Sequence, residues 1–302
     1  MTEKIHILLF YKYADIKSPG NFASTHLEMC KKLGVLGKVL VAKEGINGSI
    51  SGTKKQVEKY KKELKKDKRF SDIQFKEDIG KMHPFARMSV LVKKEIVRLG
   101  KKSIDVKNTG KYISPKEFLD IYKKKDDVII LDARNNYESR VGKFKNAITP
   151  DIENFREFPK VAKMLKGKKN KKIVMYCTGG IRCEKASAYL IQNGFKDVSQ
   201  LDGGIIKFGK KFPDTVWEGK CFVFDKRLLV SINSKDNPIA KCEICDTGCD
   251  LYRNCRNLPC NKLFIMCPDC ENKINGCCSS SCLKAFREHC VIKAKMNQPI
   301  AN

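Results

Sequence analysis

No stretch of this sequence reaches the roughly 20 consecutive apolar residues that a membrane-spanning helix needs, and no basic amphipathic anchor stands out. The first ten residues also lack the charged, apolar and small-residue order of a secretory signal, and read directly as a strand. A cytoplasmic protein without a membrane partner is expected. Histidine is scarce, at four residues, with no compact His/carboxylate set that would suit non-haem iron. Signatures for haem, flavin or nicotinamide are missing too, so no organic cofactor is recognised. Acidic residues are outnumbered: 34 Asp and Glu face 61 Lys and Arg, a formal charge of +27. That balance exceeds what solubility requires and points to a polyanion, with nucleic acid ahead of a membrane surface. A lysine-favouring base composition of the genome is the alternative source of the charge.

Cysteine is abundant. Of fifteen, eleven crowd between Cys242 and Cys290. The spacings are those of metal ligands rather than of a secreted disulfide scaffold, which fits a reducing compartment. Four pairs stand out: Cys242 with Cys245, Cys255 with Cys260, Cys267 with Cys270, and Cys278 with Cys282. Eight thiolates suffice for two tetrahedral structural zinc ions. Their order suggests interleaving, with Cys242, Cys245, Cys267 and Cys270 on one ion and Cys255, Cys260, Cys278 and Cys282 on the other. Consecutive pairing is the alternative. Cys249, Cys277, Cys290 and His289 are left over. So small a segment has little core, so bound metal is expected to supply its folding energy.

Chemistry of another kind is concentrated at residues 171–184. Ile173, Val174, Met175 and Tyr176 form a buried strand pattern, and an amphipathic helix is read from Cys183. Cys177 therefore lies at a strand-to-helix turn, where backbone N–H groups and the helix dipole lower a thiol pKa. Thr178, Gly179, Gly180 and Ile181 complete the loop. The two glycines let donors approach an anion, and Arg182 offers a fixed cation. Cys183 suits packing at the start of the helix, or resolution of a persulfide or disulfide. Asp132, Arg134 and Glu138 suit ion pairs that hold the loop, while Tyr176 and Lys185 are placed to approach a substrate. A six-residue loop suits a sulfur-sized intermediate better than a phosphate.

Read in order, the chain divides into four parts. Residues 1–100 follow a βαββαβ pattern, with strands at 5–13, 37–42 and the glycine-rich return at 45–52, a helix from 21 to 33, and a lysine-rich helix from 54 to 66 striped by Val57, Tyr60 and Leu64. That order predicts a ferredoxin-like α+β domain. Its charge run reads equally as an RNA-contacting surface or as a solvated helix face. Residues 101–111 read as a polar linker. Residues 112–232 alternate strand and helix, predicting a parallel, doubly wound α/β sheet with Cys177 at the carboxyl end of a strand, where such sheets bind ligands. Residues 233–302 form the cysteine-rich region.

Asp132-Ala-Arg134, Glu138, the loop Cys177-Thr-Gly-Gly-Ile-Arg182 and Asp202-Gly-Gly204 together resemble a rhodanese domain. With Glu44-Gly-Ile-Asn-Gly48, residues 217–225 and the cysteine-rich tail, nearly the whole chain resembles the rhodanese-domain tRNA uridine hydroxylases. The resemblance implies tRNA as partner, dioxygen as co-substrate, conversion of the wobble uridine to 5-hydroxyuridine, and a persulfide-forming cysteine at the position of Cys177. Two other readings stay open at this stage: a thiosulfate-type sulfurtransferase, and a non-catalytic zinc-dependent RNA-binding protein.

Overall fold

The computed structural model describes residues 4–101, 104–124 and 127–296, with side chains described up to His289 in the last helix. Cys290 therefore lies outside the described side chains. The N-terminal part contains β1 (Ile5–Tyr13), α1 (Pro19–Leu33), β2 (Leu36–Ala42), β3 (Gly45–Gly52), α2 (Lys54–Lys66), β4 (Phe75–Gly80) and β5 (Met88–Val92). Its sheet runs β4-β1-β3-β2-β5. The first four strands pair antiparallel in ferredoxin-like order, and β5 adds a parallel partner to β2. Alternation along β1 decides the two faces: Leu8 and Phe10 join the core under α1 and α2, so Leu9, Tyr11 and Tyr13 point the other way. Helix α2 starts in a capping box, with Thr53 accepting from Gln56 N at 3.4 Å and Gln56 returning an acceptor to Thr53 N at 2.8 Å. Its stripe of Val57, Tyr60 and Leu64 is buried, about 1.5–3 kcal/mol for each large apolar side chain.

The central part comprises β6 (Lys111–Ile113), α3 (Pro115–Lys124), β7 (Ile129–Asp132), α4 (Asn136–Ser139), β8 (Gly142–Phe144), α5 (Phe158–Met164), β9 (Lys172–Tyr176), α6 (Ile181–Gln192), β10 (Asp197–Leu201) and α7 (Gly204–Lys211). Strands β6-β10-β9-β7 form one parallel sheet. Both faces are covered. Ile173 and Met175 of β9 pack into the core with α5 and α6, whereas Val174 and Tyr176 pack into the core with α3 and α7, which explains why β9 reads as an unbroken apolar run. The edge strand β6 begins at Lys111, within the stretch read as polar linker. Three residues with only Ile113 partly buried carry too little alternation to announce a strand.

Beyond α7 come β11 (Trp217–Gly219), β12 (Cys221–Phe222), β13 (Leu229–Val230), β14 (Tyr252–Asn254), β15 (Leu263–Ile265), α8 (Pro268–Lys273) and α9 (Ser280–Met296). Strand β11 pairs back onto β8. The tail docks through an aromatic cluster in which Phe222 meets both Tyr137 and Tyr252, at ring distances of 5.3 and 5.6 Å, and through Lys220–Asp250 at 2.9 Å. Among the described residues no helix is long and apolar enough to cross a membrane.

Candidate active site

Cys177 follows the last residue of β9 and is wholly buried. Helix α6 begins at Ile181, two residues earlier than the apolar spacing suggested, because Gly180 takes φ +104° and turns the chain directly into the first helical turn. Ile181 and Arg182 are therefore helical, and only Thr178, Gly179 and Gly180 form the connection. The early start has a chemical consequence. Gly180 N donates to Cys177 Sγ at 3.1 Å, and the N–H groups of Arg182 and Cys183 also face the sulfur. Burial opposes ionisation of Cys177, but the Cys183 thiol, the Arg182 charge and those backbone donors outweigh it and hold its pKa down to about 5. Burial and the adjoining thiolate push Cys183 well up. Cys183 thus serves as a protonated donor to Cys177.

Arg182 does not hang free in the loop. Both its terminal nitrogens engage Glu138, one of them at 2.7 Å, and it reaches Thr178 Oγ1 at 3.3 Å. Glu138 is buried in α4 and accepts from Asn135 N at 3.2 Å. Of the three expected ion-pairing residues, Glu138 alone meets the thiol loop. Asp132 and Arg134 pair with each other, with the guanidinium 2.6 Å from the carboxylate, and Arg134 also donates to Gly142 O at 2.6 Å. That pair, stacked near Tyr176 and Trp217, ties β7 to β8 rather than holding the loop.

Two further expectations need correction. Tyr176 is buried between Phe144 and Arg134, on the side of the sheet away from the sulfur, because successive strand residues face opposite ways. Lys185 cannot approach a substrate. Its ammonium is buried and spends all three donors on Glu44 Oε1 at 2.8 Å, Glu95 Oε2 at 2.6 Å and Val97 O at 3.0 Å. It bolts the N-terminal domain to α6.

That bolt brings the sheet face of β1 onto the thiol loop. A Cβ on Gly179 would lie 2.8 Å from Leu9, and one on Gly180 would lie 2.9 Å from the Tyr11 hydroxyl. Tyr11 and Tyr112 both donate to Glu184 Oε1, at 2.9 and 2.6 Å. The Tyr13 hydroxyl is buried there without a hydrogen-bond partner. Neither Leu9 nor the three tyrosines announced themselves in the sequence, since alternating apolar and aromatic residues read only as a strand. Phe224 was missed as well: its ring is 61% exposed and lies 5.7 Å from the Arg182 guanidinium.

In the tail, the sulfurs of Cys242, Cys245, Cys267 and Cys270 lie within 4.8 Å of one another, as do those of Cys255, Cys260, Cys278 and Cys282. The interleaved grouping is the one the fold assembles. Individual separations of 3.6 Å for Cys245–Cys267 and 3.7 Å for Cys260–Cys278 match the roughly 3.8 Å edge of a tetrahedron with zinc–sulfur bonds of about 2.3 Å. Backbone donors support the first group at Cys242 and the second at Cys255. Cys249 and Cys277 instead fill the apolar core of the tail, and His289 is exposed.

Three family descriptions match successive segments: a UPF0176 acylphosphatase like domain at residues 5–96, a rhodanese-like domain at 114–211, and a rhodanase C-terminal region at 218–283. Among curated relatives, the tRNA uridine(34) hydroxylase of Cytophaga hutchinsonii is 46% identical, covering 91% of this chain and 89% of its own. The protein of the same name from Bacillus velezensis is 42% identical, covering 100% and 97%, and that from Chlamydia felis is 41% identical, covering 99% and 93%.

Proposed function

The chain belongs to the tRNA uridine(34) hydroxylase family, and from that premise we propose that it hydroxylates the wobble uridine of tRNA at C5, using dioxygen, with Cys177 as the reacting group. The observation that carries the residue assignment is the sulfur itself: one thiol, at the carboxyl end of a parallel strand, whose surroundings favour the anion despite complete burial. Uridine C6 is the electrophilic end of the C5–C6 double bond. A thiolate added there forms a C6–S bond and leaves C5 electron-rich toward dioxygen, and it departs again when the C5–C6 double bond is restored, which splits a hard step into easier ones. The chain's own contribution is electrostatic. Gly180 N and the first turn of α6 hold the anionic sulfur, Cys183 supplies a proton-bearing donor, and Glu138 keeps the Arg182 charge in place.

Because Cys177 is covered by β1 as well as by its own loop, the base reaches it only when side chains at the domain junction move aside. A wobble base already lies in a single-stranded loop, so little unstacking opposes its delivery. The two cysteine groups fit zinc, and we assign them as structural zinc sites that hold the tail against the central domain. Mass spectrometry of tRNA nucleosides from a deletion strain tests the assignment of Cys177. Complementation with wild type restores 5-hydroxyuridine and C177S does not; full hydroxylation by C177S would remove the sulfur from the reaction. A simple sulfurtransferase predicts unchanged nucleosides and lost thiosulfate–cyanide activity instead.

A further inference from the structure

The face of the N-terminal sheet that covers the thiol loop carries a cation, Lys76, whose partner among the described residues is an aromatic ring and not a carboxylate. Lys76 lies on β4 directly opposite Leu9 of β1, and cross-strand partners share a face. Leu9 is the residue whose side chain abuts Gly179, and Tyr11, the next residue along that face, abuts Gly180. The Lys76 ammonium sits 5.1 Å from the centre of the Tyr11 ring. Lys76 thus hangs from the face that covers the sulfur.

Its surroundings are unusual among the described residues. Lys185, the other lysine at this junction, satisfies three acceptors, whereas half-buried Lys76 has no carboxylate or hydrogen-bond partner, only the Tyr11 ring. Asp202, a carboxylate whose charge reaches Lys76, pairs with Lys207. An ammonium withdrawn from water without a partner is costly, in a chain that leaves dozens of lysines in solvent at no such cost. Burial pulls its proton affinity down, and the Cys177 anion heads the influences that restore it, followed by Asp202 and then, after the opposing charge of Lys207, Glu184.

We propose that Lys76 is a positioning residue of the active site, the cation through which the N-terminal domain holds Cys177 as an anion across the domain junction. The inference rests on the reading of Cys177 as the reacting group. Charges around the sulfur come from several elements. Arg182 and the Cys183 thiol belong to α6, as does Glu184, which accepts from Tyr11; Tyr11 and Tyr13 approach from β1 as neutral phenols. Arg182 shares its charge with Glu138, whereas Lys76 faces the loop with no carboxylate partner among the described residues. The arrangement also gives the N-terminal domain a role in the chemistry: it adds an unpaired cation to the backbone donors, the Cys183 thiol and the paired arginine that the loop supplies itself.

The test is the pH midpoint for modification of Cys177 by methyl methanethiosulfonate, followed by mass spectrometry of the peptide that contains it, in the full-length protein. The midpoint is read instead of the rate, because limited access through the junction scales the rate equally at every pH. Wild type is expected near pH 5. K76M, which keeps the aliphatic stem over Tyr11, should move the midpoint up by about one unit, equivalent to roughly tenfold less thiolate at the foot of the curve; K76R should restore it. K59M, on the exposed side of α2, should leave it unchanged. A K76M midpoint equal to that of wild type overturns the role of Lys76 while leaving Cys177 an anion. A wild-type midpoint near 9 overturns the thiolate reading itself, and the inference with it.

Discussion

At the scale of single residues, the site is a case of donors overcoming burial. A buried thiol is ordinarily pushed up, as at Cys30 and Cys221, both raised to about 12. Cys177 is equally buried and goes the other way, because the N–H groups, a thiol donor and a charge converge on one sulfur. Linkage gives this a stability signature with a definite sign. The thiol of the unfolded chain titrates near 9 and that of the folded chain near 5, so the folded anion contributes stability that is full above the higher value and lost as pH falls through the lower. The stability advantage of wild type over C177S, measured by urea unfolding of the central domain, should therefore grow between pH 5.5 and pH 8. An advantage that is constant or shrinks over that range would contradict an ionised Cys177. Asp132–Arg134 and Arg182–Glu138 were visible in the sequence as charged residues near the loop. Which of them touches it was not, because partner choice depends on where α4 places Glu138.

At the scale of elements, the connection from β9 to α6 depends on Gly180. Its φ of +104° is costly for any residue with a side chain, and the Tyr11 hydroxyl occupies the space a Cβ would need. G180A is expected to lose at least about 1 kcal/mol and to push β1 off the loop, seen as faster hydrogen exchange in both β1 and residues 177–183. Unchanged exchange would mean that the covering contact is not formed in solution. The tail is stabilised differently. Its core is assembled from cysteines and a few aromatics, so zinc is expected at two per chain by elemental analysis. Chelation should increase exchange across β14, β15 and α8 while the parallel sheet stays protected. Less than one zinc per chain would exclude the two-site assignment. The glycines and the C-x₂-C pairs were legible because each has a local geometric meaning. The early start of α6 was not, since it depends on the positive φ of Gly180 and not on a repeating apolar position.

At the scale of the whole molecule, the domain junction is where function is assembled. Lys185 crosses it with three short bonds, and Arg227 crosses it to Asp78 at 2.6 Å. K185M would leave Glu44 and Glu95 without their cation in a half-buried setting. We expect a loss of about 3 kcal/mol, at the lower end of the cost of breaking buried pairs. The accompanying loss of 5-hydroxyuridine from cellular tRNA should occur although Lys185 touches no substrate. Retained hydroxylation in K185M would show that docking of the N-terminal domain is dispensable.

Local chemistry is what the sequence determined by itself: a strand that ends in a cysteine, glycines that permit a tight turn, four cysteine pairs with ligand spacing, and two alternation patterns that separate a ferredoxin-like half from a parallel one. These are legible because period, spacing and turn chemistry act over a few residues. Tertiary structure decided what surrounds the sulfur. Leu9 and Tyr11 meet Gly179 and Gly180 from more than 100 positions away, with Lys76 over the Tyr11 ring, Lys185 becomes a bolt instead of a substrate contact, and the eight cysteines settle into two interleaved sets. Such placements follow from which sheet face is left uncovered by helices and where a second domain can cover it, and no short-range pattern encodes that choice. Cys177 is marked by its own neighbours in the chain, but its environment is built by two domains.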